Sequence, residues 1–291
     1  MKQGLNNFLF EPGSSKVLAF ARMCITLFCY IYLTREFHPE YPDGGFYLTW
    51  TPNGLFSLLS GPVEKIYYDY GLLIFKCSLI AAFFGLGSRF SLLTAFLSGF
   101  WVHGYFTCFS NEVYHHSHMA IMSLGILCLG PVNDSLSLDN IIKGRSFFEE
   151  RFDSSYQYPM SLLLTWVILL YFTAGYQKLI HGSGLEWAFS QNLRIRLIMS
   201  PQLTQIGEWL SQQADFILYF FAFCGLMVEV LAPLVFLKRK IIFIFIPLWI
   251  GLHIFVLNTF GEHRAFFSQI GCYLALVPFV IKSELGRSKN D

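Results

Sequence analysis

The chain has 291 residues, of which 54% are hydrophobic and 13% charged, with 32 phenylalanines and a mean hydropathy of +0.50. A soluble domain carries about a quarter charged residues, so this composition excludes an ordinary water-soluble globule and points to lipid as the solvent. A net charge of +1 excludes a basic nucleic-acid-binding surface, and the 7 cysteines, mostly inside apolar runs and without a CxxC pair, exclude a disulfide framework or a zinc site of the usual spacing.

Crossing a bilayer takes about 20 mostly apolar helical residues. Such stretches lie at 16–34, 69–87, 90–109, 117–130, 159–179, 214–237, 240–260 and 265–282. None alternates like a barrel strand, and backbone groups in lipid need internal partners. The expectation is therefore an all-α, polytopic transmembrane bundle of about eight spans. The first stretch carries Arg22 and no small-residue cleavage site, so it reads as a span and not as a removable signal peptide. Between the first and second stretches, "HPEYPDGGFYLTWTPNG" is rich in Pro, Gly and aromatics. It reads either as an ordered lid or interfacial loop or as plain connection. The fourth stretch is short and is entered through "NEVYHHSH". Between the fifth and sixth, residues 185–213 interleave Leu185, Trp187, Leu193, Leu197 and Ile198 with Arg194 and Arg196, a pattern for amphipathic helices lying in the membrane interface. One membrane domain is expected over 1–291, with its core at 10–282 and a polar tail at 283–291.

Loop charge sets the expected orientation. With the N-terminus cytoplasmic, Lys143, Arg145, Arg151 and the run Lys238-Arg239-Lys240 gather on the cytoplasmic side, and the opposite side keeps Arg35, Lys65, Lys178, Arg194, Arg196 and Arg264. Both termini are then cytoplasmic. On this topology most histidines fall at the extracytoplasmic face: His103, His115, His116, His118, His253 and His263. Lys178 closes the fifth stretch on the same side.

Ionisable groups within a bilayer are costly and are functional candidates. Lys178 has two readings. It is either a cation that snorkels to the headgroups or a group placed to move a proton. Ala174 and Gly175 precede it by one turn and would let a helix or a flat ligand approach the backbone closely. An amine held in that apolar wall loses hydration, which disfavours its charged form and lets it take a proton. His115 and His118 share a helical face that could bind a metal, or they lie in a solvated loop; no metal is predicted. Trp249 and His253 are i, i+4 neighbours, the arrangement of a packed, hydrogen-bonded histidine. Arg22 is expected to pair with a carboxylate on another helix, with Glu229 as the candidate.

The stretch "YFTAGYQKLIHGSGLEW" resembles the span-end motif of the vitamin K-dependent gamma-carboxylases and their bacterial relatives, the HTTM (horizontally transferred transmembrane) family. That motif has an aromatic, Ala-Gly, Lys-Leu and a later Trp. In the same order, "KVLAFARMCITLF" is similar to the first span with its embedded arginine. "NEVYHHSHMAIMSLGILCLGP" is similar to an Asn-His-Ser segment, and "GLMVEVLAPLVFL" with "WIGLHIFVLNTFGEHRAFFSQIGCYLALVP" to the closing helices. The resemblance covers roughly 10–282. It implies that Lys178 is the base that deprotonates a vitamin K hydroquinone-like reduced quinone, with oxygen and carbon dioxide as co-substrates. His116 and His253 would then orient or relay, and Tyr171, Gly175, Trp187, Trp249 and Asn258 would form the substrate site. The stretch departs from the carboxylases at Gln177, where they carry a second lysine, and by the insertion "IHGSG". Nor is a counterpart expected of the large lumenal part that holds their protein substrates. Quinol-type or other lipid-phase proton chemistry at Lys178 is the resulting expectation. The bilayer and a quinone or lipid-like small molecule are the expected partners. The alternative from another class is a non-catalytic membrane protein that binds a lipid, transports a solute or protons, or protects a partner. A redox subunit of the small-quinone-oxidase type is disfavoured by the lack of a haem or CxxC motif.

Overall fold

The computed structural model describes residues 8–36, 50–108, 116–182, 184–200, 203–260 and 266–287. The main helices are α1 (Ser15–Phe28), α2 (Lys65–Phe84), α3 (Ser88–Thr107), α4 (His116–Leu127), α5 (Ser154–His181), α6 (Asn192–Met199), α7 (Gln205–Ser211), α8 (Asp215–Val230), α9 (Ile242–Phe260) and α10 (Phe266–Arg287). Among the described residues, β-structure is confined to β1 (Gly13–Ser14) pairing antiparallel with β2 (Phe152–Asp153). Within the stretch read as one domain, the chain forms two compact units. One comprises Met1–Leu164 with Arg264–Asp291, the other Thr165–His263.

In the first unit, α1 buries Leu18, Arg22 and Ile25 and the turn that continues it buries Cys29 and Leu33, a spacing that repeats every three to four residues and so marks one face. That face packs against α2, α4 and α10. A π-helical turn, Cys29–Leu33, continues α1 outward. Helices α2 and α3 form a tight hairpin. Its turn needs Gly85 at φ 72°, with Leu86 N–H donating to the Ala81 carbonyl at 2.9 Å, the backbone reversal that ends helices at a left-handed residue. A Cβ at Gly85 would also lie 2.7 Å from an Arg22 guanidinium nitrogen. The described part of the first long connection is docked, not loose. Phe56 packs on Trp101 and Tyr105 of α3, and the Tyr105 hydroxyl donates to the Val63 carbonyl at 2.9 Å. Residues 37–49 of that connection lie outside the described residues.

In the second unit, α5 continues from Thr165 to His181, followed by α6 to α9. Leu197, Leu210, Leu218 and Phe260 form one core cluster, and Ala188, Ala222 and Leu226 another. Helices α7 and α8 meet at a bend of 118°. Arg194 of α6 holds that corner. It donates to the Ser211 carbonyl at 2.5 Å, the Gln213 carbonyl at 2.6 Å and Asp215 Oδ1 at 2.8 Å.

The described parts of all eight apolar stretches are mainly helical, but the helix lengths differ from expectation. By length and composition, 4 helices among the described residues could cross a membrane: Ser15–Leu33, Lys65–Phe84, Ser154–His181 and Ile242–Phe260, with the bent α7–α8 pair as a fifth if it counts as one span. Helix α3 is long enough but carries Arg89, His103 and several hydroxyls. The stretch 214–237 is not continuous. It stops at Val230 and resumes as a short helix at Leu234–Leu237, after Pro233, which cannot supply an amide to continue the ladder.

Candidate functional site

The second unit gathers seven of the predicted residues around one stripe of α5. Tyr171, Gly175 and Lys178 are spaced i, i+4, i+7, so they share a face over two turns. Each meets a different neighbour. Tyr171 stacks on Trp249 of α9, with ring centroids 4.5 Å apart and planes 5° from parallel, and its Oη lies 2.7 Å from His253 Nε2. The i, i+4 spacing of Trp249 and His253 lets both reach one ring. Gly175 admits the end of α8: a Cβ there would lie 2.8 Å from a Val230 methyl, 2.9 Å from Val230 N and 2.9 Å from Glu229 Cβ. The small residue serves helix packing, and the face expected to admit a helix or a flat ligand is taken by a helix.

That approach delivers Glu229 to Lys178. The ammonium donates to both carboxylate oxygens, at 2.5 and 2.6 Å. The Lys178 side chain is 31% exposed and that of Glu229 only 9%. Trp187 closes the arrangement, its ring centroid 5.0 Å from Nζ, a cation–π distance. Gly182, in the inserted stretch, is in contact with Trp187. Gly182 N–H donates to the Lys178 carbonyl at 2.9 Å, and a Cβ on Gly182 would strike the Trp187 ring at 2.4 Å.

This geometry corrects several expectations. Lys178 does not stand alone in an apolar wall, because a carboxylate chelates it. Glu229 is therefore not the partner of Arg22. The Arg22 guanidinium donates instead to the carbonyls of Val132 (2.8 Å), Phe83 (3.5 Å) and Leu136 and to Ser88 Oγ at 3.4 Å. Asn258 stays apart from His253. Five residues carry it about 140° around the helix, where it is exposed and its amide donates to the Ile254 carbonyl at 2.9 Å. His116 opens α4, and its side chain lies outside the described residues, as do His115 and His263. In the first unit, a different imidazole pair forms: His103 is buried with Nδ1 2.9 Å from Ser117 Oγ, and the His118 ring meets it edge-on at 4.7 Å. Its signal in the sequence is the i, i+1 run Ser117-His118 facing the one histidine of α3. Among the described residues no group of three or more His, Cys, Asp or Glu side chains is placed to hold a metal ion.

For a flat ring, the fit is partial. Tyr171 and Trp249 are stacked on each other and Gly175 is covered by Val230, so these three present no open face between them. Lys178 and Trp187 are both partly exposed and form the side a polar ring substituent could reach. A cavity of about 20 Å³ beside Gly13, Ser14, Tyr156 and Gln157 in the first unit has room for one water and involves none of the predicted residues.

The class that these features define is an all-helical protein with several helices apolar enough to cross a membrane, carrying a chelated lysine. No protein-family model matches the chain, and no curated protein and no solved structure matches it significantly.

Proposed function

We propose that this is an integral, multi-pass membrane protein of the HTTM type that removes a proton from a reduced quinone or a similar lipid-soluble acid. In this reading it crosses the bilayer about eight times, keeps both termini in the cytoplasm, lays α6 and α7 in the interface and turns Lys178 toward the extracytoplasmic side. The apolar exterior supports the membrane reading: Phe216 and Phe220 of α8, and Ile244, Leu248 and Ile254 of α9, are all exposed, a waste of apolar surface in water but not in lipid. The observation that carries the proposal is the Lys178–Glu229 ion pair beneath Trp187, with Lys178 partly exposed and Glu229 nearly buried.

A bound reduced quinone supplies an acidic ring hydroxyl and the electrons that oxygen takes, with carbon dioxide as a further co-substrate in the family resembled. The chain's own residues do the rest. Lys178 receives the proton, Trp187 covers the amine, and the Tyr171–His253 hydrogen bond ties α5 to α9. His116 enters only through the resemblance.

The test is oxygen uptake by the protein in lipid nanodiscs supplied with a short-chain naphthohydroquinone. Lys178→Ala should lower the rate by about 10²–10⁴-fold, the range of a lost general base, with the fold retained. Uptake equal to that of the native protein removes Lys178 from the mechanism. A second reading, proton-coupled transport, is favoured by the 118° break between α7 and α8, because broken helices and intramembrane ion pairs are found together in transporters. It predicts proton flux in liposomes without quinol, which the enzyme reading does not.

A further inference from the structure

We propose that Glu229, acting through Lys178, is the final acceptor of the substrate proton, so that the lysine works as one half of a proton-passing pair and not as a lone base. The proposal rests on the reading that an acidic hydroxyl is deprotonated at Lys178. It starts from a chemical difficulty. An amine that donates to both oxygens of a carboxylate at 2.5 and 2.6 Å already carries its proton, and an ammonium has no lone pair with which to take another.

The carboxylate resolves this. An ammonium has three N–H groups; two serve Glu229, and the third is left for a ligand on the exposed side. One N–H bond directed at Glu229 breaks and an O–H bond forms on the carboxylate, which leaves Lys178 a neutral amine with a lone pair. The amine turns that lone pair to a hydroxyl on the exposed side, whose O–H bond breaks as a new N–H bond forms on Lys178. No electrons leave the substrate in this step. The negative charge passes from Glu229 to the substrate oxygen, and the ammonium between the two is restored at the end. The site is neutral before and after. That matters in a bilayer, where an isolated charge is costly to create and the charges present at the end of the transfer are paired.

The packing suits the role. Glu229 is the nearly buried member and Lys178 the accessible one, so substrate can reach the relay atom but not the final acceptor. Gly175 sets the separation, because the backbone of α8 rests where a Cβ would be. Trp187 faces the ammonium at 5.0 Å, a cation–π contact on the relay group.

The experiment is infrared difference spectroscopy on the full-length protein in nanodiscs. One probe is the short-chain naphthohydroquinone, and the control is its dimethyl ether, which has the same ring and no acidic proton. A carboxylic acid C=O band should appear with the hydroquinone, stay absent with the ether and be missing from Glu229→Gln. Absence of the band with the hydroquinone, or its survival in Glu229→Gln, overturns the proposal. If Glu229→Gln does not fold, Glu229→Asp replaces it, and the band must then move to a new frequency. Oxygen uptake measured on the same samples separates the two readings. A band without uptake leaves the proton-passing pair standing and removes the oxygenation reading. Uptake without a band does the reverse. In an active protein, Glu229→Gln should slow uptake about 100-fold, as expected for a lost proton acceptor.

Discussion

Arg22 in the first unit and Lys178 in the second pose the same problem, a cation on a helix apolar enough to cross a membrane, and the chain solves it in two ways. Arg22 is 0% exposed and is met by three backbone carbonyls and a hydroxyl. None of those acceptors can take a proton, and the fork of the guanidinium is matched to several of them at once. Lys178 is 31% exposed and is met by one carboxylate, a partner that can be protonated. The first arrangement can only hold structure. It ties α1 to the α2–α3 turn and to the 131–137 segment, where Leu136 sits at φ 46°, a conformation that a branched residue adopts only when its surroundings hold it. The second arrangement keeps both an exchangeable proton and a way in.

The comparison is broken most forcefully at Arg22. Arg22→Ala leaves several buried carbonyls without a donor and opens a void, and should cost about 3–5 kcal/mol, the range for removing one side of a buried charged network. Arg22→Lys should recover less than half of that, since a point ammonium cannot reproduce the fork. Thermal unfolding in detergent measures both. Full stability in the lysine variant would mean that charge alone, not its distribution, is what α1 needs. The next largest effect belongs to Gly175. Gly175→Leu sets a side chain against the backbone of Val230. It should cost about 2–3 kcal/mol by overpacking and push Glu229 out of reach of Lys178. A variant as stable as the native protein would show that α5 and α8 do not approach as closely as the glycine implies.

What can be read from the sequence divides along the same line. Helix positions follow from local composition, and the hairpin end at "FGLG" follows from glycine alone. The stripe Tyr171–Gly175–Lys178 is legible because i, i+4, i+7 spacing needs no tertiary knowledge. The partner of each cation is not legible. Glu229 is one of few acids within the apolar runs, and the choice between Arg22 and Lys178 depends on which helices meet. Loop charge and hydropathy carry no such information. Backbone carbonyls as the partners of Arg22 leave no trace in side-chain composition at all. Asn258 departs from expectation for another reason: closeness in sequence to His253 is not closeness in space, because five residues on a helix point elsewhere.

A double-mutant cycle sharpens the Lys178 half of the comparison. Lys178→Met and Glu229→Gln should each destabilise, and the double variant should lose less than their sum. The expected coupling is about 1–3 kcal/mol for a hydrogen-bonded ion pair in this degree of burial. Coupling within about 0.3 kcal/mol of zero, the scatter of independent sites, would mean that the pair contributes nothing to folding and that its retention must be explained by function alone.

The smallest expected effect is at Tyr171. Tyr171→Phe keeps the ring stacked on Trp249 and removes only the hydroxyl facing His253 Nε2, so it should cost about 1 kcal/mol, the net worth of one hydrogen bond. The loss should shrink when His253 is replaced by Leu, because the imidazole that the hydroxyl meets is then gone. Its real use lies in a third background. Tyr171 and Lys178 are about 10 Å apart along α5 by helical rise, far enough for their effects to add if they share no partner. The cost of Tyr171→Phe should therefore be the same in Glu229→Gln as in the native chain. A cost that changes by more than about 0.5 kcal/mol would join the imidazole to the ion pair, and Lys178 would then differ from Arg22 not only in having a protonatable partner but in belonging to a network that extends to a second helix.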